Sequence, residues 1–271
     1  MMPTAVELVR AGRAAEALAL LEGQVRADPA DAKQRVFLFQ VLCVLGQWQR
    51  ALTQLNVAAE MDPANLLMAE VYRRALPCEP LRAEIFAGKL EPLLFGEPAE
   101  WVGLMVQANR LLGQSKISDS QRIREQALEK APAISGTIRS ESGEHPFEWL
   151  ADADGRLGPI LEAVIQERYF WIPMPCIREI QFDAPADLRD LVWSAATFTW
   201  ANGGSAVGLV PTRYAGTELS DDPSLQLARR TDWSEPEPGL LIGRGQRMFA
   251  TDQGEYPILE TRQISLNAPL A

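Results

Sequence analysis

Apolar residues recur at helical spacing through the first half of the chain, and the pattern repeats itself. Residues 12–30 read GRAAEALALLEGQVRADPA, and residues 46–64 read GQWQRALTQLNVAAEMDPA. Gly12 aligns with Gly46, Ala17 with Ala51, Leu18 with Leu52, Leu21 with Leu55, and Asp28-Pro29-Ala30 with Asp62-Pro63-Ala64. The offset of 34 residues is the length of a tetratricopeptide unit, two antiparallel helices and a turn. A small residue stands at each turn, and an alanine follows where the paired helices touch. A proline ends each second helix, because it cannot continue the hydrogen-bond ladder.

The period continues in weaker form. LLMAEVYRRAL (66–76) predicts a helix, PCEP a turn and LRAEIFAGKL a second helix, with Gly96 near the end of the unit. EWVGLMVQANRLLG (100–113) carries Trp101, Leu104, Met105, Ala108, Leu111 and Leu112 on one stripe. Ser118 or Asp119 caps a further helix that stops at Pro132. Residues 1–132 therefore read as about four stacked helical pairs, a TPR-like superhelix. Its first helices line the concave face with Lys33, Val36, Gln40 and Val44, then Leu67, Glu70 and Arg74, then Glu100, Gln107 and Arg110. Apolar positions mixed with both charge signs suit a peptide or an amphipathic helix. The plainer alternative for each of these residues is a solvated helix face.

Residues 133–146, AISGTIRSESGEHP, are rich in glycine and serine without apolar period, and predict a linker holding the chain's one histidine, His145. Beyond it, residues 147–271 predict an α+β domain with a mostly antiparallel sheet. RLGPILEAVIQERY (156–169) reads as one helix, FWIPMPCIREIQF (170–182) as an edge or bent strand, and PADLRDLVW (185–193) as a short helix. ATFTWANGGSAVGLVPTRY reads strand, turn, strand around Asn202-Gly203. GQRMFATDQGEYPILETRQISL repeats that grammar with DQGE as the turn.

Charge narrows the function. The net charge is −10, which disfavours nucleic acid and anionic membranes as partners. No apolar run is long enough to span a bilayer. Cys43, Cys78 and Cys176 are few and widely spaced, as expected of reduced thiols in a cytoplasmic protein. One histidine and no paired cysteines argue against zinc, and no cofactor motif is present. Asp152 and Asp154 in DADGR lack the remaining ligands of a calcium loop and fit turn-making and helix capping. There is no nucleophile elbow and no phosphate loop. Arg156, Arg178, Arg189, Asp190, Arg213, Tyr214, Asp232 and Arg247 stand among apolar residues. Buried arginine–aspartate pairs holding loops account for them best, ahead of a protein-binding surface and then an active site.

Six blocks in order, DADGRLGPILEAVI, YFWIP, LRDLVW, VPTRYAGTE, LARRTDW and GQRMF, resemble the ImpE family, the TagJ- and SciE-type accessory proteins of bacterial type VI secretion. The blocks hold Asp152, Asp154, Arg156, Trp171, Asp190, Trp193, Arg213, Tyr214, Asp232, Trp233 and Arg247 as structural or interface positions. The resemblance implies a non-enzymatic cytoplasmic adaptor that binds the N-terminal helix of the small contractile-sheath subunit. It further implies cooperation with the AAA+ ATPase that disassembles contracted sheath. It assigns that helix to neither half of the chain. Two other classes stay open: a hydrolase-like enzyme in residues 147–271 using Asp152, Asp154 and arginines, and a chaperone-like adaptor for a secreted effector.

Overall fold

The computed structural model describes residues 3–97 and 99–267. Eight helices follow in chain order. α1 (Ala5–Arg10) pairs with α2 (Ala14–Ala27), α3 (Ala32–Val44) with α4 (Trp48–Met61), and α7 (Glu100–Gly113) with α8 (Ile117–Lys130), while α5 (Leu66–Ala75) and α6 (Cys78–Phe86) between them touch each other little. Local chemistry sets their ends. Thr4 and Glu7 form a capping box on α1, and the Asp31 side chain accepts from the Gln34 N–H at the start of α3. Ala17 and Ala51 have no exposed surface, as close helix contact requires.

The strands form one nine-stranded sheet and two small ones. The large sheet contains β1 (Leu93–Leu94), β2 (Gly136–Ser140), β3 (Gly143–Phe147), β5 (Ile160–Ile165), β6 (Arg168–Pro173), β7 (Ile177–Phe182), β8 (Trp193–Trp200), β9 (Ser205–Pro211) and β14 (Thr261–Leu266). Its order is β1-β6-β5-β9-β8-β7-β14-β2-β3, antiparallel throughout except for β1 beside β6. β4 (Leu150–Asp152), β12 (Met248–Thr251) and β13 (Gly254–Pro257) make a three-stranded sheet. β10 (Thr231–Glu237) and β11 (Leu240–Gly245) make a ribbon. A short helix, α9 (Pro223–Gln226), precedes the ribbon.

The two faces of the large sheet carry the two cores. Ile160, Val164, Tyr169, Trp171, Trp193 and Leu209 face the helices and share one core with Leu21, Phe39, Leu55, Tyr72 and Trp101. Leu161, Ala163, Ile165, Ile172, Phe198 and Ile264 face the other way, onto Leu150, Phe249 and Tyr256.

Three expectations are corrected. The linker predicted over 133–146 contains β2 and most of β3, which close one side of the large sheet. The helix predicted over 156–169 is β5, a turn and the start of β6. All six residues of β5 are buried, so its apolar run has no strand alternation. The helix predicted over 185–193 is a single 3-10 turn, Leu188–Leu191, and Trp193 already belongs to β8. Pro173 and Pro175 bend 170–182 as expected, at a 3-10 turn between β6 and β7. The hairpin at Asn202-Gly203 forms, with Gly203 at φ +87°.

Candidate functional site

The site is set by how the two halves meet. A helix leaves its last carbonyls without partners inside the helix. Arg229 Nη2 donates to the Val9 and Arg10 carbonyls at 3.1 and 2.7 Å, closing the end of α1. Arg213 Nη1 donates to the Val44 carbonyl at 2.8 Å, closing the end of α3. Both guanidiniums also complement the negative helix end. The segment carrying them packs on the echoed turn glycines. A Cβ on Gly12 would lie 3.3 Å from Pro223 Cβ, and one on Gly46 only 2.6 Å from Glu218 Cγ. Trp193 lies between Trp48 and Tyr72, with ring centroids 5.8 and 5.6 Å away.

Beneath this contact lies a buried ionic cluster. Arg247 pairs with Asp152 and Glu162. Glu162 accepts in addition from Arg82 Nε at 2.6 Å, Arg82 Nη2 at 2.7 Å and the Tyr169 hydroxyl at 2.6 Å. Arg82 Nη2 also donates to the Arg213 carbonyl at 2.7 Å. Trp171 Nε1 donates to the Tyr169 oxygen at 2.9 Å, and Trp193 Nε1 donates to Glu79 at 2.7 Å. Asp154 holds Arg156 at 2.6 Å and accepts the Gly243 N–H at 2.9 Å. Burial pushes Asp152 up to about 7 against the pull of Arg247. Burial alone would raise Glu162 too, but Arg82 and Arg247 outweigh it and hold that carboxyl down to about 2. Glu162 and Arg247 have no exposed surface and Asp152 almost none. The cluster does the work of a joint, with arginine and carboxylate each satisfying the other out of water.

An open surface lies beside it. The β8–β9 hairpin runs past the β5–β6 hairpin, and among the described residues β5 pairs with β9 only at Val164 and Leu209. Gly208 permits that approach, since a Cβ there would come within 2.8 Å of Ile165 and of the Val164 carbonyl. Beyond that point the sheet face is uncovered, and α5 overhangs it. The result is an apolar groove of about 310 Å³. Ala195, Thr197, Val207, Gly208 and Leu209 line the floor, Val71 and Val164 the walls, and Glu70, Arg74, Gln166, Glu167 and Asp183 the rim. Val207 is 74% exposed and nearby Val71 46%, which is unusual for aliphatic side chains beside a core. A second cleft, of about 500 Å³, runs past Trp48, Leu52, Leu76, Pro77 and Pro80.

The residues singled out from sequence divide accordingly. Glu70 and Arg74 stand on the groove's rim. Gln107 and Arg110 line a separate cleft with Pro92, Leu94 and Val106. Lys33 is exposed and Val36 half-buried on α3. Gln40 and Val44 are buried, so the open concave face expected there is filled by the protein's own second half, and their side chains are inaccessible. Asp152, Asp154, Arg156, Trp171, Trp193, Arg213, Tyr214 and Arg247 converge on the joint. Asp190 caps the 3-10 turn by accepting from the Ala186 and Asp187 N–H groups. Asp232 is exposed near Arg230, and Trp233 packs on Tyr214 with centroids 5.6 Å apart. Sequence reasoning missed Glu79, Arg82, Glu162 and Tyr169. The signal for Glu162 is its place inside ILEAVI: a carboxylate in a buried strand must have a cationic partner.

Comparison with known proteins follows the same division. The profile of the ImpE protein family matches residues 144–265, and a tetratricopeptide-repeat profile matches residues 8–74. The type VI secretion system accessory component TagJ of Pseudomonas aeruginosa is 48% identical over 260 residues, covering 96% of this chain and 90% of that protein. A Vibrio parahaemolyticus protein of known crystal structure shares the fold with a TM-score of 0.84, at 22% identity, over 97% of each chain. With that identity to TagJ along almost its whole length and the ImpE profile over its strand-rich half, the chain belongs to the ImpE family.

Proposed function

We propose that this protein is a cytoplasmic accessory component of a type VI secretion system that acts by binding. Its partner is an amphipathic helix at the N-terminus of the small contractile-sheath subunit, and its site is the groove between α5 and the β8–β9 hairpin. The observation that carries this reading is that groove itself: exposed Val71 and Val207 over an apolar floor, with a charged rim. A docked helix fills such a surface with side chains at i, i+3, i+4 and i+7. The name of the Pseudomonas aeruginosa relative supports the secretion context. Presenting the sheath helix to the AAA+ ATPase is the role that follows from such binding.

Calorimetry of the full chain with a synthetic sheath-subunit N-terminal peptide tests this. Saturable binding is expected at roughly micromolar Kd, about −8 kcal/mol, because one helix buries less than a standard interface. Val207→Asp should weaken it more than tenfold by placing a charge on the apolar floor. Absence of binding, together with failure to recover the sheath subunit from a secretion-active lysate, would remove the adaptor reading.

A further inference from the structure

We infer that the helix taken by the α5/β8–β9 groove is cationic along its flanks, with Asp183 as the rim group that pairs with it. This rests on the groove reading above and adds the chemistry of the partner. The rim carries three carboxylates, Glu70, Glu167 and Asp183, and one cation, Arg74. That cation is already committed: Arg74 pairs with Glu70 along α5 and, through Nε at 3.1 Å, with Glu167 across the groove mouth. Asp183 has no ion-pair partner among the described residues, and its side chain is exposed. The rim is therefore anionic by excess, on a chain whose net charge is −10.

The surroundings make this excess count. The carboxylates stand beside the apolar side chains of Val207 and Leu209 on the floor and Val71 on the wall, an apolar surface that directs their field outward. A partner bringing carboxylates to the rim meets like charge. One bringing lysine or arginine on either side of its apolar stripe meets Asp183 on the sheet side and the Glu70–Glu167 pair on the other. Such side chains lay their aliphatic stems on the apolar floor while the charged heads reach the rim.

The floor also limits the form of the occupant. Ala195 and Gly208 leave little side chain to interlock, so the large apolar anchors must come from the partner. Strand addition is disfavoured. The β9 edge left open beyond the Val164–Leu209 pairing extends only through Ser205–Val207, and the Gln166–Glu167 turn stands at its side. That length offers too few main-chain hydrogen bonds to hold an extended peptide. A helix lying across the floor between α5 and the Asp183 side uses the whole groove.

The probe is a synthetic peptide of about 20 residues from the N-terminus of the small sheath subunit, long enough for a helix that spans the groove. It is titrated into the full chain at low and at high salt. Binding to the unaltered chain should weaken as salt rises. Asp183→Lys should weaken it about two- to fivefold without lowering the melting temperature, because Asp183 is exposed and holds nothing in the fold. A peptide whose flanking Lys and Arg are changed to Glu should bind the unaltered chain poorly and recover on the Asp183→Lys chain. That crossed recovery is the result a merely structural effect would not give. Binding that is abolished by Val207→Asp yet indifferent to salt and to Asp183→Lys keeps the groove reading and overturns the cationic one. Binding indifferent to Val207→Asp overturns the inference with its location. No binding to the unaltered chain overturns both, and tight binding by a sheath helix lacking flanking Lys or Arg overturns the inference alone.

Discussion

Arg213 of the strand-rich half donates from Nη1 to the Val44 carbonyl at 2.8 Å, so the last turn of α3 is closed by a residue far along the chain. Its own carbonyl accepts from Arg82, which is anchored on Glu162. One arginine thus ties a repeat helix, the buried ionic cluster and the loop after β9 into one unit. Arg213→Ala removes the cap and leaves buried carbonyls without a donor. The expected cost is about 2–4 kcal/mol, seen as a lower urea midpoint with a single transition retained. An unchanged midpoint would mean that solvent replaces the guanidinium at no cost.

The glycine echo at 12 and 46 has a second use besides turning the chain between helices. Both residues have positive φ, +79° and +67°, and both touch the segment after Tyr214. The contacts differ, and so should the substitutions. Gly12→Ala meets Pro223 at 3.3 Å, whereas Gly46→Ala places its Cβ 2.6 Å from Glu218 Cγ and 2.9 Å from its Cβ. Gly46→Ala should cost more than Gly12→Ala, about 1–3 kcal/mol in total. Adding Glu218→Gly should recover the steric share but not the backbone share. Equal losses at the two positions in thermal melts would disprove the contact.

The helical half was legible because its pattern is local. Ala17, Leu21, Ala51 and Leu55 repeat at one spacing, and the echoed Gly12, Gly46, Pro29 and Pro63 stand where helices stop. The strand-rich half was legible where a turn announces itself, as at Asn202-Gly203. It was not legible at β5, because Ile160–Ile165 is buried on both faces and reads the same as a buried helix. The turn that follows hides as well. Gln166 and Glu167 take φ values of +48° and +68°, which asparagine and glycine usually signal. The second hairpin strand, β3, carries Pro146 and little apolar residue, so GTIRSESGEHP resembles a linker until β14 pairs with β2. Arg156 and Arg247 were legible as buried arginines with aspartate partners, but Arg213 caps carbonyls instead, and the Arg82–Glu162 pair was not legible: its members lie 80 residues apart, and periodicity cannot bring them together. Glu70 and Arg74, expected on the concave face of the repeats, stand on the rim of the groove instead, and its floor was not legible because it depends on how far one hairpin outruns another.

The ionic cluster predicts opposite pH responses on two sides of weak acidity. Glu162 is held down to about 2 in the folded chain against an ordinary 4.5, so its contribution is complete above 4.5 and lost as pH falls toward 2. Asp152 is pushed up to about 7 from 3.8, so the folded state holds a proton that the unfolded chain has released between those values. Its share of stability is present at low pH and declines as pH rises from about 3.8 to about 7. Urea midpoints across pH 3–7 should therefore peak in the weakly acid range. Asp152→Asn should flatten the decline toward neutrality and leave the acid limb in place. An acid limb that disappears with Asp152→Asn would assign the cluster's titration wrongly.

The last expectation concerns whether the halves exist apart. Composition changes at residue 133, which invites cutting the chain there, but three features cross that line. β1, at Leu93–Leu94, comes from the repeat half and pairs with β6 at Phe170 and Trp171. Arg82 on α6 finds its carboxylate on β5. The core facing the helices draws on both halves, from Leu21 and Phe39 to Trp193 and Leu209. Residues 1–132 alone would leave the Arg82 guanidinium without Glu162 and expose the side chains that cover Trp171 and Trp193. Residues 133–271 alone would expose one whole face of the sheet. Each fragment should express poorly or aggregate, while co-expression of the two should restore a soluble complex, because the contacts between them are core contacts. Limited proteolysis of the full chain should spare 136–147, whose strands are paired on β14 and on each other. Early cleavage there, or a fragment 1–132 that melts cooperatively alone, would show that the shared core does not govern folding.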